Sequence, residues 1–264
     1  MLALAGSGVC CLQLAAVVEL PEFGVLLGRL LAHRRADPAT VARAAGVSVP
    51  ELDAVLAGGH ASALLLRRLA PALGLHTADL FVIAGHDMPT DLAPARGTRP
   101  WHVGHVMRSA MRVFGKRFDR LHEFICSLPV RLPAEPLPPP TRSAAGPGAL
   151  VMGLLANRNI RPHIAQLLYF VGDGPYVSDS TIYRVVHGDS ALTARYVTAF
   201  AAVLGVPAGD LAALTGVGPP VDTARLYPRR AELAAVAWDA RRLNSEQLSQ
   251  VQQLAFDLAQ VARR

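Results

Sequence analysis

The chain has 264 residues, of which 52% are hydrophobic, 17% charged and 6% aromatic, with a net charge of +6. That length holds two modest cores, and that composition excludes a disordered or collagen-like chain. Three cysteines, Cys10, Cys11 and Cys126, are too few and too oddly spaced for a disulfide framework and fit a reducing cytoplasm. Alanine and leucine dominate and β-branched runs are short, so an all-α fold is expected.

Residues 1–20 read as an N-terminal extension. The stretch has no basic start of the kind a secretory signal carries, and Gly6-Ser7-Gly8 interrupts it as a membrane span. No membrane partner is expected. Residues 21–90 form a first helical unit, with helices near 22–35, 38–45, 49–57, 62–73 and 77–84. Asp37 before Pro38 is a helix start, and Gly46, Gly58 and Gly74 fall where helices end. Residues 101–130 read as one long helix. Met107, Met111, Phe114, Phe118, Leu121 and Ile125 form its apolar seam, and Arg108, Arg112, Lys116 and Arg120 a basic stripe beside it. Prolines make 131–148 an extended linker.

A second unit, 149–218, repeats the first, with helices near 149–158, 161–170, 179–187, 191–204 and 208–215. VSVPELDAVLAG (Val47–Gly58) aligns with VSDSTIYRVVHG (Val177–Gly188). The match continues from Leu30–Arg34 to Leu154–Arg158, from Val41-Ala42 to Ile164-Ala165, from Leu73-Gly74-Leu75 to Leu204-Gly205-Val206, and from Asp79-Leu80 to Asp210-Leu211. The second unit carries an insertion, GDGPYV, before its third helix. The tail, 221–264, reads as two helices broken near Asn244-Ser245, with Ser245 as a cap. Leu248, Val251, Leu254, Ala255, Leu258 and Val261 make one apolar face that needs a partner, either the tail's own first helix or a second subunit.

Each copy resembles the lambda-repressor/Cro-like, or XRE-type, helix-turn-helix family. The residues that carry the likeness are an aliphatic-Ala pair, Ser48 or Ser178 at a helix start, Leu52 or Ile182 as anchor, Gly58 or Gly188 as stop, and the Leu-Gly-aliphatic end. The resemblance implies two such domains, the first possibly degenerate, joined by the long helix and linker. It also implies a double-stranded DNA partner and a homodimer held by the tail. In that family the second helix of the motif enters the major groove. By position, Ser180, Thr181, Tyr183 and Arg184 would meet base edges, with Arg184 suited to guanine. Arg158, Arg161, His163, Ser178, His187 and Arg195 would lie along phosphates, and Arg108, Arg112, Lys116 and Arg120 could add to them.

Two features depart from the family. The first copy presents Val49, Pro50, Glu51, Asp53 and Ala54, two carboxylates and no donor, which phosphate would repel. Asp179 is an awkward neighbour for a polyanion in the second copy. The charge also sits elsewhere: 101–148 carries seven Arg/Lys against three Asp/Glu, whereas 149–220 carries four of each. The expected function is therefore a sequence-specific transcriptional regulator, cytoplasmic and nucleoid-associated, that reads DNA mainly through 178–187. The alternative is an adaptor that uses the same helices for protein contacts. No nucleophile motif or phosphate loop appears, so no enzyme, cofactor or small-molecule ligand is expected. His102, His105, His122 and Cys126 have helical ligand spacing, but on one straight helix His105 and His122 stand about 25 Å apart. No metal is expected without a bend near Gly115.

Overall fold

The computed structural model describes residues 20–95, 102–130, 146–160, 164–222 and 225–260. These residues form fourteen helices and no strand, so the fold is all-α. The first copy folds as α1 (Phe23–Arg34), α2 (Pro38–Ala45), α3 (Val49–Leu56), α4 (Ala63–Ala72) and α5 (Thr77–Ala84). Asp37 accepts the Thr40 N–H at 2.9 Å, Ser48 that of Glu51 at 3.3 Å and Ser62 that of Leu65 at 3.1 Å, so local sequence starts three of the five.

The expected long helix is two: α6 (His102–Ala110) and α7 (Lys116–Ser127). The chain turns between them through Gly115, whose φ of +58° suits a residue without a side chain. The seam divides accordingly. Met107, Phe118, Leu121 and Ile125 are buried, while Phe114 at the turn is 60% exposed. The basic stripe is divided too: Arg108 lies on α6, Arg112 in the turn, and Lys116 and Arg120 on α7.

The second copy follows as α8 (Pro147–Ala156), α9 (Ala165–Gly172), α10 (Asp179–His187), α11 (Ala194–Leu204) and α12 (Ala208–Thr215). Its extra residues are shared between the α8–α9 and α9–α10 connections. Ile164-Ala165 therefore stands at the start of α9, whereas Val41-Ala42 lies within α2. That part of the sequence alignment is out of register. α2 and α3 are joined by Gly46, Val47 and Ser48, a tight turn, and pack on each other; α10 leans on α8 instead.

The copies are not separate beads. α1 packs on α12 and α8 packs on α5, a reciprocal exchange. Arg34 of the first copy pairs with Asp210 of the second at 2.5 and 2.9 Å. Its counterpart Arg158 pairs with Asp79, the counterpart of Asp210, at 2.8 and 2.9 Å. The residue after each arginine is left-handed without being glycine: φ is 51° at Arg35 and 52° at Asn159. Gly24 on α1 and Gly148 on α8 let the end of α3 and of α10 approach closely, through the carbonyls of Val55 and Val186. This is the geometry of a two-fold dimer interface, residue i against j and j against i, built within one chain.

α13 (Arg230–Ala240) and α14 (Ser245–Gln260) pack on α6 and α7, and α13 also packs on α11. Leu248, Val251, Ala255 and Leu258 are buried there, so the tail's apolar face is filled by its own chain. Asn244, not Ser245, caps α14. Its Oδ1 accepts the Gln247 N–H at 2.9 Å, and Gln247 Oε1 accepts the Asn244 N–H at 3.0 Å, a capping box. No helix among the described residues is long and apolar enough to cross a membrane.

Candidate nucleic-acid interface

α10 is built from its own sequence. Ser178 Oγ accepts the Thr181 N–H at 3.3 Å and lies 2.7 Å from Ser180 Oγ, which ties down the first turn. Ile182, Val185 and Val186 are buried, and Gly188 ends the helix with φ of 85°. Ser180, Tyr183 and Arg184 are exposed and Thr181 is half-buried. Among the described residues no hydrogen bond or ion pair holds the Arg184 guanidinium. The Tyr183 ring stacks on His187 at 3.7 Å, and His187 Nδ1 lies 2.8 Å from the Tyr183 carbonyl oxygen. His187 is therefore occupied with its own helix.

Asp179 does not hang outward as an unmatched charge. Its Oδ1 accepts the Ala165 N–H at 2.8 Å, so it caps α9 from the start of α10. A negative group belongs at a helix N-terminus, where unpaired N–H groups gather. The same bond occupies a donor that a phosphate would otherwise use.

Of the other expected contacts, Arg195 is exposed on α11 and donates to the Asp173 carbonyl at 3.2 Å, and Arg161 and His163 lie outside the described residues. Arg158 is a correction. It is 1% exposed, bound to Asp79 and to the Leu154 carbonyl, and cannot reach a phosphate. An arginine at the buried end of α8 is indistinguishable in sequence from one on its surface. The four basic residues of the expected stripe do not form one face, and Arg108 reaches Gln166 Oε1 at 3.5 Å. On α3, Val49, Pro50, Glu51, Asp53 and Ala54 are all exposed, so the first copy does turn two carboxylates to solvent.

The sequence reading missed two groups and the third member of another. Phe170 and Tyr176 flank Tyr169, with ring centres 5.1 and 5.4 Å away, and are 56% and 88% exposed, on α9 and the connection to α10. The inserted GDGPYV and the preceding Tyr169-Phe170 carried that signal. Arg241 is buried, donates to Asn157 Oδ1 at 2.7 Å and to the Leu92 carbonyl at 2.7 Å, and its guanidinium lies 4.1 Å from the Trp238 ring centre. Burial pushes its pKa down to about 10. Finally, His122 Nε2 meets Asp239 Oδ2 at 2.7 Å, with Cys126 Sγ 3.7 Å from the same oxygen. No sequence spacing links residues that lie 117 and 113 positions apart.

Comparison with protein-family models, curated proteins and solved structures gave no match.

Proposed function

We propose that the protein is a sequence-specific DNA-binding transcriptional regulator, and that α10 reads the base edges. One observation carries this reading. α10 is capped, anchored by three buried aliphatics and closed by glycine, yet its outer face offers hydroxyls and a guanidinium that no group among the described residues holds. Those are the donors that a major groove accepts, and an arginine on guanine contributes about 1–3 kcal/mol of discrimination.

The pairing of the copies supports a specific geometry. One chain carries both halves of a two-fold unit, but α10 presents donors on its outer face where α3 presents Glu51 and Asp53. A single chain therefore engages one half-site, and a palindromic operator would require a second chain to bring a second α10. The tail is committed to its own bundle, so such a dimer would need another surface.

A shift assay over a range of salt concentrations tests the reading. Binding should weaken steeply with salt, and Arg184→Ala should lose roughly tenfold or more in affinity for the preferred site. Glu51→Ala should leave affinity unchanged, because α3 stays off the DNA. Absence of binding at low salt would overturn the proposal. It would favour the adaptor reading, for which the exposed Glu51 and Asp53 are the motivating observation.

A further inference from the structure

We infer that His122, Cys126 and Asp239 form a binding site for a divalent transition-metal ion, with zinc the best-matched. The bend at Gly115 puts α7 on its own axis, and α13 runs against it. His122 and Cys126 are four residues apart on α7 and so share a face. Asp239, near the end of α13, completes the group from the opposite helix.

The geometry is close to that of a metal centre. The donor atoms all lie within 4.8 Å of one another, and both α7 side chains address one carboxylate oxygen, at 2.7 and 3.7 Å. Around a tetrahedral zinc with bonds of about 2.0–2.3 Å, neighbouring ligand atoms stand about 3.3–3.8 Å apart. The imidazole and carboxylate would separate by less than about 1 Å, within the reach of side-chain rotation. The protons now shared between these groups are what the ion would replace.

The donor set selects the ion. A thiolate, an imidazole and a carboxylate suit zinc or its neighbours, whereas calcium and magnesium take oxygen ligands. Thiolate and carboxylate together balance a double positive charge. Cys126 is exposed, and the His122 and Asp239 side chains are 31% and 37% exposed, so an ion enters from solvent and keeps one position open to water. A simple ion pair between α7 and α13 accounts for His122 and Asp239 but gives no role to the thiol at the same oxygen. Bound metal would clamp α7 to α13, next to Trp238, whose ring stacks on His76 of the first copy at 3.6 Å.

The test uses the full chain with Cys10→Ser and Cys11→Ser, so that Cys126 is the sole thiol. Cobalt(II) titrated into the reduced protein should give a near-ultraviolet thiolate-to-cobalt charge-transfer band that saturates at one equivalent and is displaced by zinc. Cys126→Ser should abolish the band, and His122→Gln or Asp239→Asn should each weaken the apparent affinity at least tenfold. Zinc should also protect Cys126 from alkylation in the protein that retains His122 and Asp239, a readout that does not depend on those variants folding. No charge-transfer band together with no protection would overturn the inference. So would a band and affinity unaltered by His122→Gln and Asp239→Asn, which would mean an isolated thiol binding the ion.

Discussion

Asp79→Asn is expected to be among the most damaging single changes in the molecule. Asp79 Oδ1 accepts from Asn157 Nδ2 at 2.7 Å and from the Arg158 guanidinium at 2.9 Å, and Oδ2 accepts from the other Arg158 nitrogen at 2.8 Å. The Arg158 and Asp79 side chains are 1% and 3% exposed, so no water can take over. The asparagine keeps the shape but removes the charge, and it turns an NH₂ toward donors. A second guanidinium, Arg241, already bonds Asn157, so the substitution leaves two buried cations around a neutral side chain. Breaking a buried pair from one side costs about 3–5 kcal/mol. At about 2–4 °C per kcal/mol for a chain of this size, the midpoint should fall by roughly 6–20 °C. Asp210→Asn removes the counterpart pair, but the Arg34 side chain is 26% exposed, and the loss should be about 1–3 kcal/mol. Asp91→Asn breaks the surface pair with Arg67, both partners more than one-third exposed, and should cost less than about 1 kcal/mol. Urea denaturation followed by circular dichroism measures all three. Replacing both partners, Asp79→Leu with Arg158→Met, should recover part of the loss, the buried Arg241 and the Asn157 amide still lacking the carboxylate. If Asp79→Asn costs no more than Asp91→Asn, the buried pair does not hold the copies together and the reasoning is wrong.

Other consequences are smaller or more local. Ser178→Ala removes the α10 cap and should cost about 1 kcal/mol, visible as a lower urea midpoint; an unchanged midpoint would mean the cap does not hold the helix. Gly148→Ala would set a methyl 2.5 Å from the Val186 carbonyl oxygen; the required shift of α8 from α10 should cost about 1–3 kcal/mol and also weaken DNA binding in the shift assay. Burial under Trp238 holds His76 below its ordinary pKa, with Arg158 and Arg241 adding to the effect. The unfolded chain therefore takes up that proton first, and stability present above about pH 6.5 drains away as pH falls toward the lower folded value. His76→Phe should flatten the acid side of a stability curve measured between pH 7.5 and 5; equal slopes in the two proteins would refute that origin.

Local features were legible in the sequence. Asp37, Ser48 and Ser178 cap the helices they precede, and Ile182, Val185 and Val186 form the buried face of α10. The repeat announced Arg34 with Arg158 and Asp79 with Asp210 as equivalents. It did not announce that each arginine crosses to the other copy's aspartate, because a pairing between distant segments leaves no mark on either one. Arg158 was misplaced for the same reason: the carboxylate that holds it, Asp79, stands on α5, far from it in the chain. The bend at Gly115 was foreseeable only as a possibility, since the apolar spacing runs through it unbroken. Asp179 was the least comfortable residue of the proposed reading face, and its bond to Ala165 accounts for it as a cap.

The reciprocal packing of the copies has a consequence for how the surface can diverge. In a symmetric homodimer every substitution occurs twice, and two-fold identity forces both exposed helices to change together. Covalent fusion removes that restriction. A carboxylate at Glu51 carries no obligation at Thr181, so one half can specialise while the other keeps the frame. Fusion also frees the pairing from mass action: the halves of a dissociable dimer part on dilution, whereas tethered halves face each other at a fixed local concentration. The interface between α1, α5, α8 and α12 should accordingly persist at any protein concentration, however few molecules a cell contains.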